Sequence, residues 1–541
     1  MMKAYQPSVE PLTINTLSNR LKVVFLIQSL LVASLFILLH GYRFNTDDQA
    51  EHLPQVYQMQ DHSLYQGDYF VSHLSETFSL RTFYVWFVHI LSYFLPVSVI
   101  CFVFTLLCIA ASVYSFMIIT KTFSNQPWAP FLTGPFVFLI FNSFTVGGNH
   151  IAGESFICST MAMAFASMGL MQFFKNRFLS MAVLIGIGTL FQVLDAAQLF
   201  FLLLVLMISG RKKFSLILKT IIIYILFSGA MLLPMLYHQF FSDYIYDHKQ
   251  YAQILFFFRN AHHFVPTAFP LHDMIRFVLL LTAGIWALFR SGLIEKKNHI
   301  IFVGTVLLLT FLYILLFQIL GIYAIGKTQW FKSTLWVSAL CSVYLAIWIA
   351  PGISVLFSNN VPFRFINAGS IVLILIGLFF ILDSAQIPLE RFQGKYMVGN
   401  YRKTDLQKLH EWIERNTSKD DLFLAPPDDF SFACEAKRPL VIGYKAIIHE
   451  PFFMIPWYEK YREIYGSKLD GNNSVDALGV AVENYQEMIK PDVLNKYKVR
   501  CKIDNIRTSK FPIEYETVLH TEGDWVVTKV PENDFNGVIN R

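Results

Sequence analysis

Charge is scarce in this sequence. Only 15% of its 541 residues are Asp, Glu, Lys or Arg, against about 25% in an ordinary soluble protein. A disordered chain needs the opposite, high charge and few apolar residues, and is excluded. Glycine and proline, at 27 and 21 residues, are too few for a collagen-like chain. Six cysteines are too few for a disulfide scaffold. Nor do they form a metal pattern. Cys101, Cys108, Cys158 and Cys341 lie inside apolar runs, where cysteine behaves as a small hydrophobe. Cys434 and Cys501 lie near the C-terminus and could pair in an oxidising compartment, which spacing alone does not decide. Repeats and low-complexity tracts are absent.

Hydrocarbon takes the place of charge. Hydrophobic residues make up 55% of the chain and aromatics 16%, with 53 phenylalanines. That is the composition of a polytopic membrane protein. The few charges are unevenly spread, 35 before residue 385 and 46 from there on. The segment 1–384 carries a net +7 and reads as a transmembrane domain, whereas 385–541 carries −2 and reads as a soluble one. The basic residues sit in short clusters between apolar runs, which is not a nucleic-acid signature.

Crossing the hydrocarbon core takes about 20 apolar residues. The first such run is Leu21 to Gly41; its polar leader and lack of a small-residue cleavage site read as a retained anchor. Others lie at 98–120, 128–144, 154–174, 214–236, 273–290, 299–322, 330–349 and 366–384. The stretch 178–209 is short for two full crossings and reads as a hairpin of two short helices. The stretch 82–97 reads as an interfacial helix or a further span. Threaded this way, Lys22, Lys121, Lys175, Arg211, Lys212, Lys213, Lys296 and Lys297 share one side, and short loops rich in Lys and Arg stay cytoplasmic. The acids and histidines concentrate on the opposite, outer side. An even number of crossings puts the tail outside too. There, strand-like runs at 421–424, 439–442, 497–501 and 525–528 alternate with helical stretches such as Asp405 to Asn416, which predicts a small α/β domain.

The first outer loop, Tyr42 to Arg81, carries adjacent carboxylates, Asp47 and Asp48, directly after the first apolar helix. Neighbouring side chains on a helix diverge by ~100°, so one of the pair can face a reacting centre while the other orients it or binds a metal. The plainer alternative is a helix capped by Thr46 with solvated acids. Further outer groups accompany the pair. The second loop holds His150 and Glu154 in a Gly-rich stretch. The hairpin holds Asp195, and a buried acid at membrane depth costs ~2.5–3.5 kcal/mol, so it has a partner or a role. A later loop reads Arg259-Asn260-Ala261-His262-His263. Adjacent histidines suit hydrogen bonding to a phosphate or sugar better than chelation. Gly321 to Thr328 matches the Walker A pattern, but it joins two apolar spans rather than a strand and a helix. A chance match is the reading, leaving Lys327 and Lys332 as contacts for a lipid phosphate or as interfacial anchors.

An acidic pair after the first span, a long helical first outer loop, ten or more spans and a soluble outer tail resemble the GT-C superfamily of membrane glycosyltransferases. Phe423-Leu424-Ala425-Pro426-Pro427-Asp428, Lys437-Arg438-Pro439 and Trp457-Tyr458-Glu459-Lys460-Tyr461 are similar to a bacterial domain of unknown function attached to such proteins. The resemblance implies a GT-C-like polytopic α-helical membrane protein of about 10–12 spans plus a C-terminal soluble α/β domain, in a bacterial inner membrane. It implies sugar transfer from a polyprenyl-phosphate donor to an extracytoplasmic glycan or lipid acceptor, with inversion. Asp48 or Asp47 would be the base; Arg259, His262, His263, Lys327, Lys332 and Asp195 would bind substrate or phosphate. A divalent metal, Mg or Mn, would be held by Asp47 with Glu154 and His150, which stand where some members carry paired acids. Asp48, Glu154, His262 and Lys327 would then share one cavity. A transporter or flippase would instead spread charge through the span centres. A non-enzymatic envelope glycan-assembly protein would use the tail to bind a partner.

Overall fold

The computed structural model describes residues 19–45, 47–74, 78–241, 244–291, 293, 296–356, 404–469, 476–487, 491–509 and 517–530. The expected span at 366–384, the boundary at 385, Thr46 and the side chain of Asp47 lie outside the described residues.

Among the described residues six helices are long and apolar enough to cross a membrane: Asn19–His40, Val97–Phe123, Phe214–Tyr237, Leu271–Arg290, Lys296–Ile319 and Tyr323–Ser354. In lipid every backbone polar group must be satisfied within its own segment, so such runs become helices. The helix Leu271–Arg290 shows how one finds its face. Leu271, Ile275, Val278, Leu279, Trp286 and Phe289 stay exposed, while Phe277, Leu280, Gly284 and Leu288 are buried. Gly284 is required there, because a Cβ would come within 2.4 Å of Cys341 Cβ on the span Tyr323–Ser354. Small residues let membrane helices approach closely.

Five shorter apolar helices accompany them among the described residues: Thr82–Ser92, Ala129–Ile140, Cys158–Phe174, Phe178–Phe191 and Val193–Ser209. The hairpin expected at 178–209 is present, its helices of 14 and 17 residues meeting at an extended Gln192. At 1.5 Å per residue they reach about 21 and 26 Å, short of the ~30 Å core. The helix Thr82–Ser92 has 11 residues, about 16 Å, which settles 82–97 as too short to span.

The tail is a small sheet with helices packed on it. Its strands are β1 (Phe423–Leu424), β2 (Cys501–Asn505), β3 (Thr517–Glu522) and β4 (Trp525–Lys529), in the order β1-β2-β4-β3. β1 runs parallel to β2; β4 pairs antiparallel with both β2 and β3. Two expected strands differ. The run 439–442 makes only a bridge from Leu440 to Phe423, because Leu440 turns its other backbone groups to the first loop. The run 497–501 begins as a strand only at Cys501, since Lys498 takes a left-handed φ of 55°. All six cysteines are free and buried.

The tail is not a tethered sphere. One core joins Tyr65 and Phe70 of the first loop, Phe258 and Phe264 of a later loop, and Trp457, Tyr461 and Tyr465 of the tail. Asp68 is the polar stitch. Its buried carboxylate accepts the N–H groups of Phe70 at 2.9 Å, Val71 at 2.8 Å and, from the tail, Leu440 at 2.8 Å. Tyr69 N–H donates back to Leu440 O at 3.2 Å.

Candidate active site

The first span ends at His40 and the chain reverses at Asn45, which takes a left-handed φ of 61°. Gln49 locks the turn: its Oε1 accepts the Asn45 N–H at 2.7 Å and its Nε2 donates to Phe156 O at 3.0 Å. The segment Asp47–Glu51 is thereby held as a 3-10 turn. Asp48 stands half-exposed on it and meets the tail. Lys445 Nζ lies 2.6 Å from Asp48 Oδ1. Sequence reading passed over Lys445, because nothing local links a tail lysine to a loop aspartate.

Lys445 is held from two sides. Asp68 fixes the strand-like run that leads to it. Arg259, buried at the end of the π-helix Gln253–Arg259, fixes the residue itself. Arg259 Nε donates to Tyr444 O at 2.7 Å, Nη2 to Lys445 O at 2.9 Å and Nη1 to Asn260 Oδ1 at 3.0 Å. The guanidinium also lies over the Tyr444 ring, 4.3 Å from its centroid. Arg259 therefore acts on the site through Lys445.

Burial on its own would raise the Asp48 carboxyl. Lys445 outweighs it through its charge and its hydrogen bond, and holds the carboxyl well below the usual range. Burial opposes the Lys445 charge, but Asp48 and Glu51 keep its ammonium above the ordinary lysine value. His262 is pushed down to about 4 by burial, then by Arg259 and Lys445. His263 is lowered well below the ordinary value by burial, His262 and Lys332. Both imidazoles are thus neutral at pH 7. His263 Nδ1 donates to Gly147 O at 3.4 Å, which leaves Nε2 as an acceptor. Gly147 is needed for that contact. Its φ is +75° and a Cβ would strike the Phe331 ring at 2.5 Å.

The basic rim continues into the membrane body. The Lys332 charge acts on His263 and on the buried Asp195. Asp195 lies in the first turn of its helix, but Gln192 is the capping residue, so Asp195 is not the cap. One turn on, Gln198 Nε2 donates to Thr328 O at 2.6 Å and Gln329 O at 3.2 Å, pinning the segment that bears both lysines. That segment forms 3-10 turns after a π-helix, not the strand–loop–helix of a nucleotide site. Lys327 faces Glu450 of the tail at 3.8 Å and lies over the Tyr251 ring.

The structure therefore gathers Asp48, His262, His263 and Arg259 around Lys445, with Lys332 reaching this group through His263. Glu154 belongs to another group. Its carboxylate pairs with Arg43 Nε at 2.8 Å, beside His150 and Asp273. Among the described residues no three His, Cys, Asp or Glu side chains come together as a metal site. Of the expected metal set, Glu154 pairs with Arg43 and the Asp47 side chain lies outside the described residues, and no step below passes through a metal.

A second buried charge group organises the tail behind Lys445. His410 is fully enclosed, its Nε2 2.9 Å from Asp429 Oδ2 and its Nδ1 2.9 Å from Glu435 Oε2. Burial would lower its pKa; Asp429 and Glu435 overcome that and push it up to about 10. A group raised on folding stabilises fully below its unfolded value, near ~6.5, and loses that stabilisation as pH rises towards about 10. Thermal melts of the wild type should fall across this window. In His410→Gln the fall should flatten, and the melting temperature should drop at pH 6. An unchanged slope would remove the charged histidine.

A sequence family described as a domain of unknown function (DUF6798) matches residues 404–464, the segment holding His410, Asp429, Glu435 and Lys445. No curated protein matches the sequence. Among solved structures, ArnT from Cupriavidus metallidurans bound to undecaprenyl phosphate is similar at 11% identity and a TM-score of 0.48, over 95% of this chain and 99% of that one. The oligosaccharyltransferase AglB from Archaeoglobus fulgidus, with an inhibitory peptide and a dolichol-phosphate, is similar at 11% and 0.45, over 90% and 69%. The Archaeoglobus fulgidus oligosaccharyltransferase with Zn and sulfate gives 12% and 0.39, over 89% and 68%. At such identities and TM-scores no residue role and no substrate passes from them to this chain.

Proposed function

We propose that this multi-span membrane protein is a GT-C-type glycosyltransferase. It moves a sugar from a polyprenyl-phosphate donor to a glycan or lipid acceptor on the extracytoplasmic side of a bacterial inner membrane. The observation that carries the reading is the Asp48–Lys445 pair, an acid and a cation 2.6 Å apart beside neutral histidines and Lys332. An acceptor hydroxyl attacks the anomeric carbon, the carbon–oxygen bond to phosphate breaks, and the hydroxyl proton passes to Asp48. The bonding electrons leave on the polyprenyl phosphate, where Lys445 and Lys332 meet the new charge. A single displacement inverts the anomeric centre. At rest Lys445 blunts the basicity of Asp48. An arriving phosphate competes for Lys445 and releases the base when donor is bound. His262 and His263 offer neutral hydrogen-bonding groups to the sugar.

The test is lipid and glycan profiling of a strain lacking the protein, complemented with wild type or with Asp48→Asn. A glycan that returns only with wild type supports the reading; profiles identical in all strains overturn it. Orientation is tested separately. A reporter fused after Arg541 should be active outside the cytoplasm and silent inside. A cytoplasmic signal would put Asp48 and Lys445 on the wrong face for a lipid-linked donor.

A further inference from the structure

A cavity of about 920 Å³ lies beside the Asp47–Glu51 turn, where the first loop, the corner between Thr82–Ser92 and Val97–Phe123, and the tail helix Asp405–Asn416 meet. Its volume is at the upper end of the ~300–1,000 Å³ typical of ligand pockets. Four aromatic rings, Phe44, Tyr57, Tyr93 and Phe94, share its wall with the polar side chains of Asn45, Gln60 and Glu411.

That mixture selects among ligand classes. A cation finds little free charge, because Glu414 is neutralised by Lys437 at 2.7 Å and Glu435 by His410. An acyl chain would displace water from the Gln60 amide and the other polar groups of the wall without offering a hydrogen bond in return. A peptide added as a strand needs a sheet edge, and the wall is built from helices and loops without a strand. A carbohydrate satisfies both kinds of wall. Its ring faces are apolar C–H surfaces that flat aromatic rings cover, and its hydroxyl rim needs donors and acceptors together, as amides and carboxylates supply.

The placement fits as well. Tyr93 is 72% exposed and Phe94 79%, on a corner between apolar helices, the position of an interfacial aromatic belt. Asn45 and Asp48 are three residues apart, so their Cα atoms are at most ~11 Å apart at 3.8 Å per residue.

We propose that this cavity is a carbohydrate-binding subsite that holds the acceptor, making the acceptor a glycan chain at the membrane surface. The acceptor role rests on the glycosyltransferase reading; the carbohydrate site does not.

The experiment uses the full chain in lipid nanodiscs on an array of defined oligosaccharides of one to six sugars. Donor cleavage by the wild type is followed in parallel. Binding should appear for some oligosaccharides, strengthen with length, and fall about tenfold or more in Tyr93→Ala/Phe94→Ala, the scale of two aromatic contacts. Both rings are exposed, so this variant should fold; Phe94→Trp should retain binding and guards against a general defect. No oligosaccharide bound by wild type, or binding untouched by the double variant, overturns the site. If donor cleavage continues in that case, the enzyme reading stands without it. Binding in a protein that never cleaves donor keeps the carbohydrate site and removes its acceptor role.

Discussion

Asp48→Asn is expected to abolish sugar transfer while the protein still inserts and accumulates. Asparagine keeps the shape of the side chain and can still accept a hydrogen bond from Lys445, which lies 2.6 Å away in the wild type. What it loses is proton acceptance, and removing a general base typically costs about 10²–10⁴-fold in rate. A structural role predicts the reverse. Asp48 lies inside the 3-10 turn rather than at a helix cap, and the turn is locked by Gln49. Asparagine would therefore leave the fold and, if Asp48 were only structural, the activity. Turnover near wild type in Asp48→Asn, in Asp47→Asn and in the double variant would remove the catalytic assignment.

Lys445→Met should cost about 10²–10³-fold in turnover, the scale of one missing donor at a developing anion. The pH profile separates this from loss of packing. In the wild type Lys445 holds the Asp48 carboxyl well below the usual carboxylate range. Removing that positive charge raises the carboxyl pKa, so the acid limb of kcat/KM should move to higher pH. Lys445→Arg keeps the charge and should hold the limb near its wild-type position. Arg259→Lys cannot span the carbonyls of Tyr444 and Lys445 with a planar fork. It should therefore reproduce part of the Lys445→Met phenotype without touching substrate. An acid limb that stays fixed in Lys445→Met would show that the two side chains do not act together.

The sequence by itself determined the membrane character of the chain, because backbone in hydrocarbon has no alternative to the helix and apolar run length reports it directly. It determined the hairpin at 178–209, whose helices are too short to cross, and the small α/β tail. It also marked Asp48, His262 and His263, since polar groups clustered beside apolar runs stand out. Tertiary structure decided the rest. Lys445 looks like any surface lysine in sequence, and only the Asp68–Leu440 stitch and the Arg259 clamp carry it across to Asp48. The same clamp turned Arg259, marked in sequence for phosphate, towards tail carbonyls, because a buried guanidinium must be satisfied by whatever acceptors packing brings near. Glu154 went to Arg43 at 2.8 Å, a partner that lies far from it in the sequence. Pairings of this kind depend on long-range docking, and local residue pattern carries no record of it.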